Sequence, residues 1–172
     1  MVGPKIGNCN LFGCNVTVLD NCVIGKHGFG FFPINEKNLR YPHIGIVIIG
    51  KNSEIGCGCT IDRGVSHNTI IGAGTKFDNQ IHIGHDTVVG KNCLFAAQVG
   101  IGGATVIEDG VILWGQVGVS KTLTIGANAV VMAQTGVPSS LPGGKVYFGY
   151  PAEEAVAKKR ELVWIKRIPE MW

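Results

Sequence analysis

Residues 69–100 read TIIGAGTKFDNQIHIGHDTVVGKNCLFAAQVG, and a large apolar side chain recurs in them at every sixth position: Ile71, Phe77, Ile83, Val89 and Phe95. The step continues unbroken through Ile101, Ile107, Leu113, Val119, Ile125, Val131 and Val137. It also runs upstream as Ile6, Phe12, Val18 and Ile24, and again as Ile49, Ile55 and Ile61. The next residue is often glycine (Gly72, Gly84, Gly90, Gly102, Gly126), and the position two before is small or β-branched, as in Thr75, Thr87, Cys93, Val99 and Thr105. A fixed period sustained this long marks a solenoid. Six residues make one short strand and a turn: the large residue points inward, the small one fills beside it, and glycine is expected to supply the backbone conformation of the corner. Three such units close a triangular coil of about 18 residues, and coils stack about 4.8 Å apart. The expected fold is all-β, a parallel β-helix of triangular cross-section.

The ladder is interrupted twice, by GKHGFGFFPINEKNLRYPHIG after Ile24 and by DRGVSHNT after Ile61, the second adding four residues to the period. The expected organisation is a β-helix over 1–145 with loops at 26–43 and 62–70, followed by a C-terminal helical segment over 146–172. Loops on a rigid scaffold are where binding groups collect. In the final segment, PAEEAVAKKRELVWIKR, Pro151 suits a first helical turn, and acidic residues precede basic ones. Its Leu162, Trp164 and Ile165 are expected to dock on the body or on a neighbouring subunit.

Composition excludes several classes. The 172 residues are 45% hydrophobic and 16% charged, enough apolar content for a folded core, and the 26 glycines lack a collagen period. A formal net charge of +3, without a long basic run interleaved with aromatics, argues against nucleic acid as a partner. No apolar run approaches the roughly 18 residues of a transmembrane helix, and the first residues do not read as a signal peptide, so a cytoplasmic location is expected. Six cysteines include no CxxC pair, so free thiols are expected, with Cys22, Cys59 and Cys93 as small core fillers two positions before an inward residue.

The register also places candidate chemistry. His85 stands two after inward Ile83, on a corner; a step of 18 gives Gly103 and a second gives Lys121, while three ladder steps back through the insertion give Arg63. The expected column is therefore Arg63, His85, Gly103, Lys121, about one strand spacing apart. A polar cluster of Asp78, Asn79, Gln80 and His82 lies just before it in the chain. A metal site is not expected, because zinc needs three or four converging ligands and no Cys, Asp or Glu clearly joins the two histidines. The pairs at Gly56 and Gly72 lack the third glycine and following helix of a dinucleotide fingerprint.

HGFGF (27–31), IGIVIIG (44–50), TIDRG (60–64), TIIGAGTKFDNQIHIGHDTVVG (69–90), GQVGV (115–119), FGYPAE (148–153) and KRIPEM (166–171) closely resemble the UDP-3-O-acylglucosamine N-acyltransferases of lipid A biosynthesis. The resemblance implies a left-handed β-helix, against the usual crossover hand, and a homotrimer with active sites between neighbouring prisms. It implies transfer of a 3-hydroxyacyl chain from acyl carrier protein, through its phosphopantetheine thioester, to the 2-amine of a UDP-glucosamine derivative, with no permanently bound cofactor. His85 falls on the family's general base, a task suited to histidine near neutral pH. Gly103 falls where a backbone N–H holds the thioester oxyanion. Asn79, His82, Arg63 and Asp78 fall among substrate-binding positions, and Lys121 and Gln116 along the acyl-donor groove. The basic C-terminal helix would suit contact with an acidic carrier protein, and a solvated charged face explains it equally well. Two departures stand out. The given residues open directly in a coil at Ile6 where the family carries an N-terminal uridine-binding domain, so either a fragment or a shorter relative is expected, and Thr122 occupies the place of a second histidine. Two alternatives therefore accompany the main reading: a sugar-nucleotide N-acetyltransferase using acetyl-CoA, and a non-catalytic trimeric paralogue.

Overall fold

The computed structural model describes residues 3–8 and 10–167. Cys9 and the final residues 168–172, including most of the KRIPEM run, lie outside the described residues. The chain winds into a parallel solenoid of about eight turns. Most strands are two residues long and fall into three sheets of seven, six and eight strands, one per face of the prism. The first face carries Thr60–Arg63, His82–Ile83, Gly100–Ile101 and Gly118–Val119; the second carries Thr69–Ile71, Val88–Val89 and Val106–Ile107; the third carries Lys76–Phe77, Leu94–Phe95 and Ile112–Leu113. The register is the sequence period made physical: Ile83 pairs with Ile101 and Ile101 with Val119, while across the insertion Ile61 pairs with Ile83.

Every ladder residue from Ile24 to Val137 is buried, most of them completely. Ile6 and Phe12 are exposed, because among the described residues no further coil stacks over them. The small column is buried too, and its polar members are satisfied by the next coil: Thr75 Oγ1 donates to Gly90 O at 2.9 Å and the Cys93 thiol to Glu108 O at 3.2 Å. Burial raises the pKa of the Cys22, Cys59 and Cys93 thiols, that of Cys59 to about 11, so these thiols are unreactive filler.

The corner glycines have a different cause from the one the sequence suggests. Gly84 and Gly102 have ordinary backbone angles; a Cβ on Gly84 would fall 2.6 Å from Gly103 N, and one on Gly102 would fall 2.5 Å from Lys121 N. They are glycine because the next coil passes too close for a side chain. The left-handed positions lie two residues further on, at Gln80, Asp86, Gln98, Ala104, Gln116 and Thr122, with φ between 56° and 63°. Three of these six are Gln and one is Asp, while the equivalent corners elsewhere hold Asn52, Asn92 and Asn128, consistent with the tolerance of Asn and Asp for this region.

The first interruption is an antiparallel hairpin rather than an irregular loop. Phe31–Ile34 pairs with Lys37–Arg40 across a two-residue turn, Asn35 and Glu36, both left-handed. In the second, strands run to Arg63 and resume at Thr69, so the loop proper is 64–68. The C-terminal helix α1 (Ala155–Arg167) begins four residues after Pro151, and Glu153–Glu154 form a strand against Tyr147–Phe148 instead of a helical first turn. Leu162, Trp164 and Ile165 stand exposed and do not dock on the prism.

Candidate active site

Where the first face turns into the second, a groove of about 870 Å³ runs along the prism, with His82, Asp62, His85, Gly103 and Lys121 on its floor. The inserted hairpin supplies an aromatic wall of Phe29, Phe31 and Tyr41. Arg40 ties that wall down by donating to the Gly28 carbonyl and lying over the Phe31 ring, 4.4 Å from its centroid.

His85 is one-quarter exposed and its Nδ1 lies 2.7 Å from Asp86 Oδ2. An ionised carboxylate only accepts, so Nδ1 carries the hydrogen and Nε2 keeps its lone pair. Asp86 is itself held by the 64–68 loop, accepting from the N–H groups of Val65 at 3.0 Å, His67 at 2.9 Å and Ser66 at 3.3 Å. Burial acts to raise the Asp86 pKa, but the N–H of Val65, the bond from His85 and the N–H groups of His67 and Ser66 outweigh it and hold the carboxyl below its ordinary value. The free Nε2 meets the next coil at Gly103, where an added Cβ would stand 2.7 Å away. The Gly103 carbonyl accepts from Thr122 N at 3.0 Å, while its N–H has no backbone acceptor among the described residues. A proton acceptor and a residue whose N–H has no backbone acceptor among the described residues thus stand on adjacent coils of the groove.

The expected site residues divide. His82, His85, Gly103 and Lys121 share the groove. Arg63 is in register with His85 but is not among the residues lining the groove, and its Nε donates to Gly45 O at 2.7 Å. It acts on His27 instead, whose pKa is lowered by desolvation and then by His43, Arg63 and Arg40. Asp78 and Asn79 lie one corner earlier, where the third face meets the first. They border a second groove of about 490 Å³ with Leu94 and Trp114. Asn79 closes its own corner, accepting from Cys57 N at 2.9 Å and donating to Asp78 at 2.8 Å. Gln116 stands on that same edge in a ladder with Gln80, Gln98 and Gln134, joined amide to amide at 2.8–3.0 Å.

Three contributors escaped sequence reading. Asp86 directly follows His85 at the left-handed corner position, a signal that was available. Asp62 sits in the TIDRG run with its side chain 2% exposed. His43, 4% exposed, donates from Nδ1 to Tyr41 O at 2.8 Å and packs edge-on against His85 with ring centroids 5.7 Å apart.

A family model described as bacterial transferase hexapeptide (six repeats) matches residues 68–103. The chain carries this hexapeptide repeat. Over part of its length the chain resembles UDP-3-O-acylglucosamine N-acyltransferases: that of Bradyrhizobium diazoefficiens is 47% identical over 77 residues, 44% of this chain and 22% of the relative. That of Dechloromonas aromatica is 52% identical over 62 residues, 36% of this chain and 18% of the relative. The matches thus span about a fifth of these relatives' length. Among solved structures, a UDP-N-acetylglucosamine acyltransferase of Bacteroides fragilis superposes with a TM-score of 0.79 at 20% identity, over 94% of this chain and 63% of that one. The enzyme of Francisella novicida gives 0.78 at 23% identity, over 91% and 58%. At such identities the likeness establishes the fold: a left-handed parallel β-helix with a short C-terminal helix.

Proposed function

We propose that the groove is the active site of an N-acyltransferase that moves an acyl chain from a thioester to the amine of a sugar nucleotide. The observation that carries this reading is the free Nε2 of His85, oriented by Asp86 and set against the side-chain-free face of Gly103, whose N–H has no backbone acceptor among the described residues. The amine nitrogen attacks the thioester carbonyl, the new C–N bond forms, and the carbonyl oxygen gathers charge that the Gly103 N–H stabilises. His85 Nε2 takes the amine proton and passes it to the departing sulfur as the C–S bond breaks, leaving an amide and a free thiol. Asp86 holds the imidazole and balances its transient charge.

The acceptor is a UDP-3-O-acylglucosamine and the donor a 3-hydroxyacyl chain on the phosphopantetheine of acyl carrier protein, in the cytoplasmic stage of lipid A biosynthesis. The named relatives support this choice of acceptor. The chain works as a homotrimer, and this accounts for the separation of Asp78, Asn79 and Gln116 from His85: their edge of one subunit would complete the groove of the next. Lys121, at the groove's far end, suits the acidic donor. Incubating the purified chain with UDP-3-O-acylglucosamine and either 3-hydroxyacyl carrier protein or acetyl-CoA, with mass spectrometry of the product, tests the reading. Amide formation from the carrier protein is expected. Amide from acetyl-CoA alone would identify an N-acetyltransferase, and no amide from either donor would overturn the enzymatic reading.

A further inference from the structure

Asp62 is a buried carboxylate of the groove that its protein partners leave half satisfied. Its Oδ1 takes the Lys26 ammonium. Among the described residues no donor lies within hydrogen-bond distance of Oδ2. The nearest candidate, His82 Nε2, stands 3.8 Å away, and His82 Nδ1 is engaged with the Thr60 hydroxyl at 2.8 Å. Burial lowers the His82 pKa further than Asp62 raises it, with Lys26 adding to the lowering, so a neutral imidazole faces the carboxylate. The other carboxylate of the groove, Asp86, is saturated by three N–H groups and His85.

Gly28 fixes how close this open oxygen comes to the base. A Cβ added there would fall 2.8 Å from Asp62 Oδ2 and 3.2 Å from the Cβ of His85, so the two side chains flank the same side-chain-free residue. Beside it, His43 Nε2 is buried with no hydrogen-bond partner, 3.5 Å from where a Cβ on Gly30 would stand. Of the arginines nearby, Arg40 donates to the Gly28 carbonyl and Arg63 to that of Gly45. Next to the base, His43 Nε2 is thus a buried acceptor without a donor, which is rare in native proteins, and Asp62 Oδ2 is an acceptor open to the groove. A ligand bearing only acceptors, such as a phosphate, leaves both unanswered. A protonated amine brings N–H groups and the charge a buried carboxylate lacks.

We propose that Asp62 Oδ2 binds the ammonium of a primary-amine acceptor and so sets the groove's preference for an amine over a hydroxyl. This rests on the amine-acylating reading of the same groove. UDP-glucosamine and UDP-glucose differ only in the 2-substituent, and their binding is measured by calorimetry without acyl donor, on wild type and Asp62→Asn. Wild type should favour UDP-glucosamine by about tenfold or more, the scale of a hydrogen bond to a charged group. Asp62→Asn should erase the preference while leaving UDP-glucose affinity unchanged. A preference that survives in Asp62→Asn, or wild type that binds both equally, overturns the assignment while the sugar-nucleotide reading stands; wild type that binds neither overturns both. Should Asp62→Asn fail to fold, Lys26→Met frees Oδ1 and should raise the amine preference, whereas no change would reduce Asp62 to a structural ion-pair partner.

Discussion

Asp86 joins two segments at once: its Oδ2 receives His85 Nδ1 and the Val65 N–H, and its Oδ1 receives the N–H groups of Ser66 and His67. Asp86→Asn should therefore lower the acyl-transfer kcat by about 10²-fold or more through loss of the oriented imidazole, with little change in KM. It should also change stability in a pH-dependent way. Because the folded-state pKa of Asp86 is depressed, its contribution is complete above the unfolded carboxyl value near 3.9 and is lost as pH falls through the folded value. Thermal melts of wild type and Asp86→Asn should differ most at neutral pH and converge below about pH 4; a constant gap would contradict the ion pair. His85, Gly103 and Lys121 were legible as a column because a step of 18 residues returns the chain to the same corner. Asp78 and Asn79, close to His85 in sequence, stand on another edge of the prism because a corner intervenes. The place of Asp86 directly after His85 was a signal for its bond to the imidazole, but its bonds to the backbone N–H groups of the 64–68 loop were not legible because no periodicity specifies that loop's path.

At the scale of strands and corners, glycine acts in two ways that the sequence pattern does not distinguish. Gly84 has the next coil's backbone 2.6 Å from an added Cβ, whereas Gly118 has nothing within 4 Å. Gly84→Ala should cost about 2 kcal/mol or more in urea unfolding, and Gly118→Ala should lie within about 0.5 kcal/mol of wild type. Equal effects would mean that close approach is not what selects glycine after the ladder residue. Thr122 is a β-branched residue held at φ 63° on the groove, and Thr122→Asn should stabilise the chain by about 0.5–1 kcal/mol. A lower unfolding midpoint for Thr122→Asn would point to a contact of the Thr122 side chain that outweighs the strain. The hairpin was not legible as one, because its turn is Asn35-Glu36 rather than a glycine-bearing pair, and its aromatics alternate toward the groove only once the strands pair.

For the whole molecule, the repeat determined architecture, register and core, since a six-residue period leaves a single way to stack apolar rungs. The placement of α1 was not set by any such rule: its apolar residues Leu162, Trp164 and Ile165 remain exposed, as do Leu94 and Trp114 on the third face. Exposed apolar surface on this scale fits a trimer, and sedimentation equilibrium should give three times the mass of one chain, with a monomer contradicting a groove shared between subunits. The central claim is that one histidine, oriented by Asp86 and facing Gly103, does the proton transfer. Its most direct test is the single-turnover rate of amide formation by wild type and His85→Ala with 3-hydroxyacyl carrier protein at saturating UDP-3-O-acylglucosamine. A drop of about 10²- to 10⁴-fold with the fold intact is the predicted result, and equal rates would contradict the account.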